Sequence, residues 1–120
     1  MTLRLIGAIG GLTSQPSPDF LPVATLIQWR LLRPSSGAVH LIGYCLEHNE
    51  GRVSSSVLSV DATSRQCVTK SGRVYRVLGP SGHDRHGDWV WKQVMNCTGL
   101  TVESDLTADL EADFVNSERE

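Results

Sequence analysis

The feature that most constrains this chain is a change in the spacing of its apolar residues near position 80. In short runs between residues 23 and 78 they recur at every second position. From about residue 84 to 114 they recur at every third or fourth. Period two is the mark of a strand with one buried face, and period 3.6 the mark of a helix with one apolar stripe. A block of strands followed by a block of helices predicts an α+β protein.

The strand block divides at its turn residues. In "TLIQWRLLRP", Ile27, Trp29 and Leu31 alternate with Gln28, Arg30 and Leu32, which predicts a half-buried strand ending at a Pro34-Ser35-Ser36-Gly37 turn. In "AVHLIGYCLEH" (38–48), His40, Ile42, Tyr44 and Leu46 share one face and Val39, Leu41 and Cys45 the other. Both faces are largely apolar, which predicts a central strand, with Gly43 marking a bulge or a close backbone approach. Residues 49–51 are expected to turn, 52–62 to form a third strand and 63–65 to turn again. Ser71-Gly72 is expected to close a hairpin. Short strands joined by short turns predict an antiparallel sheet of four to five strands.

In the helical block, Val90/Val94 and Trp91/Met95 are i,i+4 pairs and Gly99 is a natural stop, so 84–99 is expected to be a helix packed on one face of the sheet. Val102, Leu106, Leu110 and Phe114 recur every four residues and predict an acidic C-terminal helix from about Ser104. The chain thus divides into an N-terminal extension and linker (1–22), an α+β body (23–100) and an acidic C-terminal segment (101–120). The first twelve residues read as a short strand or a loosely held extension. They make a poor export signal, with one arginine and an apolar stretch broken by Gly7, Gly10 and Gly11. Residues 14–22 carry three prolines and read as a linker. Three cysteines, Cys45, Cys67 and Cys97, are an odd count without metal-ligand spacing and fit free thiols in a reducing cytoplasm. No apolar run approaches the ~20 residues of a membrane-spanning helix, so no membrane partner is expected.

Chemistry concentrates in "GHDRHGDWVW" (82–91). His83, Asp84, His86 and Asp88 are residue types that bind metals and move protons, and they define one reading, a metal-dependent hydrolase. The spacing is not H-E-x-x-H, however. Aspartate is also a preferred N-cap, favoured at the positive end of the helix dipole. The cap is the favoured reading, with no catalytic residue, metal or cofactor expected. Ser54-Ser55-Ser56 lacks the G-x-S-x-G elbow of a nucleophilic serine, and "IGAIGG" lacks the context of a dinucleotide site. His40, among apolar neighbours, reads as a core histidine.

Charge is uneven. Residues 1–100 hold ten basic and six acidic side chains, whereas 101–120 hold seven acidic residues and Arg119 alone. Such asymmetry points to interaction surfaces. Asp105, Asp109, Glu111 and Asp113 would form a negative helix face suited to a basic groove on a partner. Trp89 and Trp91 lie about 200° apart on a helix, so one faces the sheet and the other can face a partner. A second surface, Arg73, Tyr75 and Arg76, would hold phosphates and stack a base in a nucleic-acid-binding domain. Strand alternation puts Arg76 on the opposite face from the other two, and dividing the patch weakens that reading.

The segments "WRLLRP", "HLIGY", "GRVSSSVLSVD", "TKSGRVYRVLGPSG" and "WVWKQ" resemble small bacterial proteins of the accessory genome and of phages. That group has no established chemistry, and no functional residue carries over from it. Small size, an acidic tail and the lack of a catalytic motif are similar in general character to phage-encoded anti-CRISPR inhibitors. The resemblance implies a non-enzymatic interaction protein that binds a host protein or nucleoprotein complex.

Overall fold

A computed structural model of the protein describes residues 23–118; the expected N-terminal extension and linker lie outside the described residues. The elements are β1 (Val23–Pro34), β2 (His40–Cys45), β3 (Glu50–Val53), β4 (Val57–Asp61), β5 (Gln66–Thr69), β6 (Val74–Val77), α1 (Arg85–Thr98), β7 (Val102–Asp105) and α2 (Thr107–Glu118). The protein is α+β, with a seven-stranded sheet in place of the expected four to five strands. The order is β3-β2-β1-β6-β5-β4, with β7 also paired to β1.

The sheet is not wholly antiparallel as expected, because β1 pairs β6 in parallel through Val23↔Val74 to Leu26↔Val77. The reason is the length of β1. One of its edges carries β2 from Leu26 to Leu32. The other is shared end to end by β6, next to Val23 to Leu26, and by β7, next to Leu32 to Pro34. Between those stretches the backbone of β1 is still satisfied: Gly82 N–H donates to Trp29 O (3.1 Å) and Leu106 N–H to Leu31 O (2.8 Å).

A bulge in β1 decides which side chains share a face. Pairing jumps from Ile27↔Tyr44 to Arg30↔Ile42, so two residues of β1 oppose Gly43 alone, and Gln28 takes φ 48°. An added residue reverses the alternation beyond it. Ala24 and Leu26 therefore share the concave face with Trp29 and Leu31, and Arg30 and Leu32 turn to the other side. Gly43 leaves little room for a side chain here, since a Cβ would lie 3.0 Å from Ile27 O.

The long third strand expected over 52–62 is broken by its serines into β3 and β4, which lie at opposite ends of the strand order. The connection crosses the end of β2. Ser54 N–H donates to Leu41 O, Val57 N–H to Val39 O, and the Ser54 hydroxyl accepts from Leu41 N–H (2.9 Å). The sheet curls as a result, and β1, β2, β4, β5, β6 and α2 meet in one core through Leu26, Trp29, Leu41, Val77, Leu110 and Phe114. A smaller core of Leu32, Ile42 and Trp91, with Val53 and Met95 against it, joins α1 to the convex face.

The turns fall close to expectation. Gly37 (φ 90°) closes the turn from Pro34, Arg65 (φ 56°) ends the 63–65 turn, and Gly72 (φ 91°) lies in the β5–β6 hairpin. Two boundaries are corrected. The chain turns before Glu50, at Asn49 (φ 53°), so Glu50 and Gly51 belong to β3. Residues 102–105 are a strand, and α2 starts only at Thr107, whose N–H donates to Asp105 Oδ1 (3.0 Å). No helix among the described residues is long and apolar enough to cross a membrane.

Candidate functional site

The segment 82–91 is where the sheet hands over to α1. Asp84 is extended (φ −96°, ψ 126°), and its Oδ2 accepts from Gly87 N–H at 2.7 Å, the geometry of an N-cap. Gly99 ends the helix in the left-handed region (φ 72°), its N–H donating to Met95 O (2.9 Å). Between the caps, Gly87 lets the helix touch the sheet backbone. A Cβ on Gly87 would lie 3.0 Å from Gly43 O, and a Cβ on Gly51 only 2.1 Å from Gly87 N. Replacing Asp84 by alanine removes the cap, and urea unfolding should show a loss of about 1 kcal/mol. Replacing it by asparagine should restore most of that.

The four candidate ligands of the hydrolase reading do not converge on one point; only His83 and Asp88 meet. Asp84 caps the helix. Asp88 pairs with Arg30 from β1, and its other oxygen meets His83 Nδ1 at 3.2 Å. His86 Nδ1 accepts from Gly51 N–H at 2.8 Å, so the imidazole covers a backbone donor of edge strand β3. Among the described residues no group of three or more His, Cys, Asp or Glu side chains is placed to hold a metal ion. Of the thiols, Cys45 and Cys67 are buried and Cys97 is exposed, and burial pushes the Cys67 thiol up to about 12.

The two tryptophans divide as their angular separation requires. Trp91 is 6% exposed and belongs to the convex-side core, with the His40 ring 6.0 Å away. His40 bonds through Nδ1 to Ser54 O (2.8 Å) and is half-buried rather than part of the core. Buried in this way, Trp91 presents little surface to a partner. Trp89 is 58% exposed, with the His86 ring 6.1 Å from its own and tilted by 36°. His86 is itself anchored to β3, so the indole stands on a fixed base.

The acidic residues do not form one free face. The Glu111 carboxylate accepts from Ser81 N–H (2.8 Å) and from the Ser81 hydroxyl (3.0 Å), tying α2 to the loop before α1. Asp105 caps α2; burial opposes its charge, but Thr107 hydroxyl and N–H bonds, aided by Arg30 and His83, hold its carboxyl below the ordinary value. Asp113 is half-buried, whereas Asp109 is exposed in the first turn of α2. An acidic residue outside the expected strip is held more tightly. Glu47 accepts from Thr25 N–H and Oγ1, each at 2.6 Å. Burial again opposes its charge, and these bonds outweigh it to lower its pKa.

The basic patch is corrected at its centre. Tyr75 is 4% exposed and lies in the main core, so no phenol is presented for a base to stack on. Arg76 is exposed and Arg73 half-buried. The expectation read Arg73 and Tyr75 as a solvent face, but the sheet curls over that side.

Two features escaped the sequence reading. Leu78, Pro80 and Val115 line an open groove of about 500 Å³ beside α2, flanked by Arg65, Glu111 and Glu118. The other is Arg52. Gly51 and Val53 face α1, so alternation turns Arg52 to the concave side. Its Nη1 is buried and has no hydrogen-bond partner among the described residues. A strand arginine carries no sequence mark of that state, because the curl of the sheet creates it.

No protein-family model, curated protein or solved structure matches the chain.

Proposed function

We propose that this protein is a non-enzymatic interaction module that binds a host protein or nucleoprotein complex, in the manner of a phage or mobile-element inhibitor of the anti-CRISPR kind, in the cytoplasm. The observation that carries the reading is Trp89: an indole 58% exposed on a helix whose opposite face is fixed to the sheet through Gly87 and Trp91. An exposed aromatic on a rigid base loses little conformational freedom on binding, and tryptophan is enriched among interface anchors. Asp109 and Asp113 add negative charge at a second place and would steer the protein toward a basic partner.

The test is affinity capture from host lysate with the wild type and a Trp89→Ala variant, followed by identification of the retained complex and measurement of its affinity. Removing an exposed side chain should leave the melting temperature within about 2 °C of wild type. Binding should fall by tenfold or more, the loss typical of an anchor residue. Equal binding by the two proteins would overturn the assignment of Trp89. Substrate turnover by the purified protein would overturn the non-enzymatic reading.

A further inference from the structure

We propose that the outer face of α1, at Arg85, Trp89, Lys92 and Asn96, binds a single strand of nucleic acid, stacking one base on the indole and holding the phosphates on either side of it. This rests on the reading of Trp89 as an interaction anchor and names what it grips. At 100° per residue these four side chains fall within roughly 60° of arc on the helix. The stripe stands opposite Gly87 and Trp91, which α1 buries against the sheet, and all four of its residues are exposed. An arginine thus stands one turn before the indole and a lysine one turn after it, about 10 Å apart along the axis.

Charge narrows the kind of partner. Neither Arg85 nor Lys92 has an ion-pair partner among the described residues, whereas Arg30 and Arg65 each hold a carboxylate. The acids of the same helical segment are taken up elsewhere: Asp84 caps it, and Asp88 pairs with Arg30 and meets His83. The acidic helix α2 packs through Leu110 and Phe114 into the concave core, and α1 lies on the convex side. In a chain of net charge −2 this face is therefore locally positive, and its complement is a polyanion. Between the cations stands a flat indole, more than half exposed and braced on one side by the His86 ring. A carboxylate-rich peptide would use the cations and leave that ring in water. A nucleic-acid strand uses both, since every base has a π-face to stack and the backbone carries a phosphate on each side of it. The long stems of Arg85 and Lys92 let their charged heads reach those phosphates. Asn96, at the far end of the stripe, adds an amide donor and acceptor. A duplex does not fit, because its bases are already stacked and their faces covered.

The probe is a fluorescein-labelled oligothymidine of about twelve nucleotides, within the site size of single-strand binders. It is titrated with the full chain at low and rising salt and read by fluorescence anisotropy. Binding is expected at low salt, with the logarithm of affinity falling against the logarithm of salt at a slope of about −1.4, the value for two phosphates of a single strand. Trp89→Ala should weaken binding at least about fivefold, the lower end of what one stacked base contributes. Trp89→Phe keeps a ring and should recover most of that. Arg85→Gln and Lys92→Gln should each make the slope shallower by about 0.7. These substitutions lie on an exposed face and should leave the melting temperature within about 2 °C of wild type. The proposal is overturned by absence of binding at low salt, by Trp89→Ala binding as tightly as the wild type, or by equal affinity for a duplex of the same length. If the oligonucleotide is not bound while Trp89-dependent capture of a host complex survives nuclease treatment, the face is a protein interface; this inference then fails and the proposed function stands. If the oligonucleotide binds as expected and Trp89→Ala leaves host capture unchanged, this inference stands and the assignment of Trp89 as the host anchor fails.

Discussion

Substituting Gly51 by alanine should cost this protein about 3 kcal/mol or more, a large share of the 5–15 kcal/mol that holds a typical domain folded. The substitution adds one methyl group to a strand position with ordinary backbone angles, where alanine is otherwise harmless. What makes it severe is the neighbour: the new Cβ would sit 2.1 Å from Gly87 N, 2.3 Å from His86 C and 2.6 Å from Gly87 Cα, all backbone atoms of α1. Neither side can yield cheaply. On the sheet side, β3 is held to β2 through Ile42↔Val53 to Cys45↔Glu50. On the helix side, the first turn is fixed by the Asp84 cap and by the Asp88–Arg30 pair. The helix must lift, breaking the His86 bond to Gly51 N–H and loosening Trp91 from Leu32 and Ile42. Urea unfolding followed by far-UV circular dichroism measures the loss, and loss of near-UV signal from Trp91 should accompany it. Gly87→Ala should be milder, because its Cβ meets Gly43 O at 3.0 Å and alanine recovers about 1 kcal/mol of helix propensity. If Gly51→Ala were as stable as wild type, α1 would not sit on β3 as described.

That contact also shows how far the sequence was legible. The switch from period two to period 3.6 marked the boundary between sheet and helix, and Asp84, Gly99 and the split between Trp89 and Trp91 followed from local rules. Local rules failed where pairing is long-range. Nothing in "TLIQWRLLRP" reveals that Gln28 takes φ 48° and reverses the alternation, which is why Ile27 was grouped with Trp29. Gly43, the residue opposite the bulge, carried the available signal. The parallel pairing of β1 with β6 joins strands about fifty residues apart, and no turn residue announces it. Tyr75 and Arg52 were misplaced or missed for the same reason. Alternation tells which residues share a face, but whether that face is solvent or interior depends on the curl of the whole sheet. Gly51, expected in a turn, and Gly87 are each a place where two backbones touch.

The core behind Trp29 gives the second large effect. Trp29 is fully buried, its ring centroid 5.5 Å from that of Phe114 in an edge-to-face arrangement, with Arg65 lying 4.3 Å over the Phe114 ring. Its indole N–H donates to Gly79 O at 3.0 Å. Trp29→Ala should therefore cost about 3–5 kcal/mol, the range for deleting a large buried aromatic from a core that cannot fully collapse. The lost hydrogen bond contributes little of this. Gly79 O also accepts from Arg65 Nη2 at 2.7 Å, so that carbonyl keeps a partner when the indole goes. Trp29→Phe keeps most of the apolar volume while losing the N–H and part of the ring, and it should cost about 1–2 kcal/mol. Trp29 and Phe114 touch, so their alanine substitutions should couple. The double variant should lose at least about 0.5 kcal/mol less than the sum of the single losses, because the second cavity opens against one already made. Denaturant midpoints read by circular dichroism, rather than tryptophan fluorescence, measure the wild type and the four variants on one scale. Strict additivity, or a Trp29→Ala loss below about 1 kcal/mol, would mean that α2 does not close the concave face of the sheet. The acidic C-terminal segment would then be an appendage rather than part of the core.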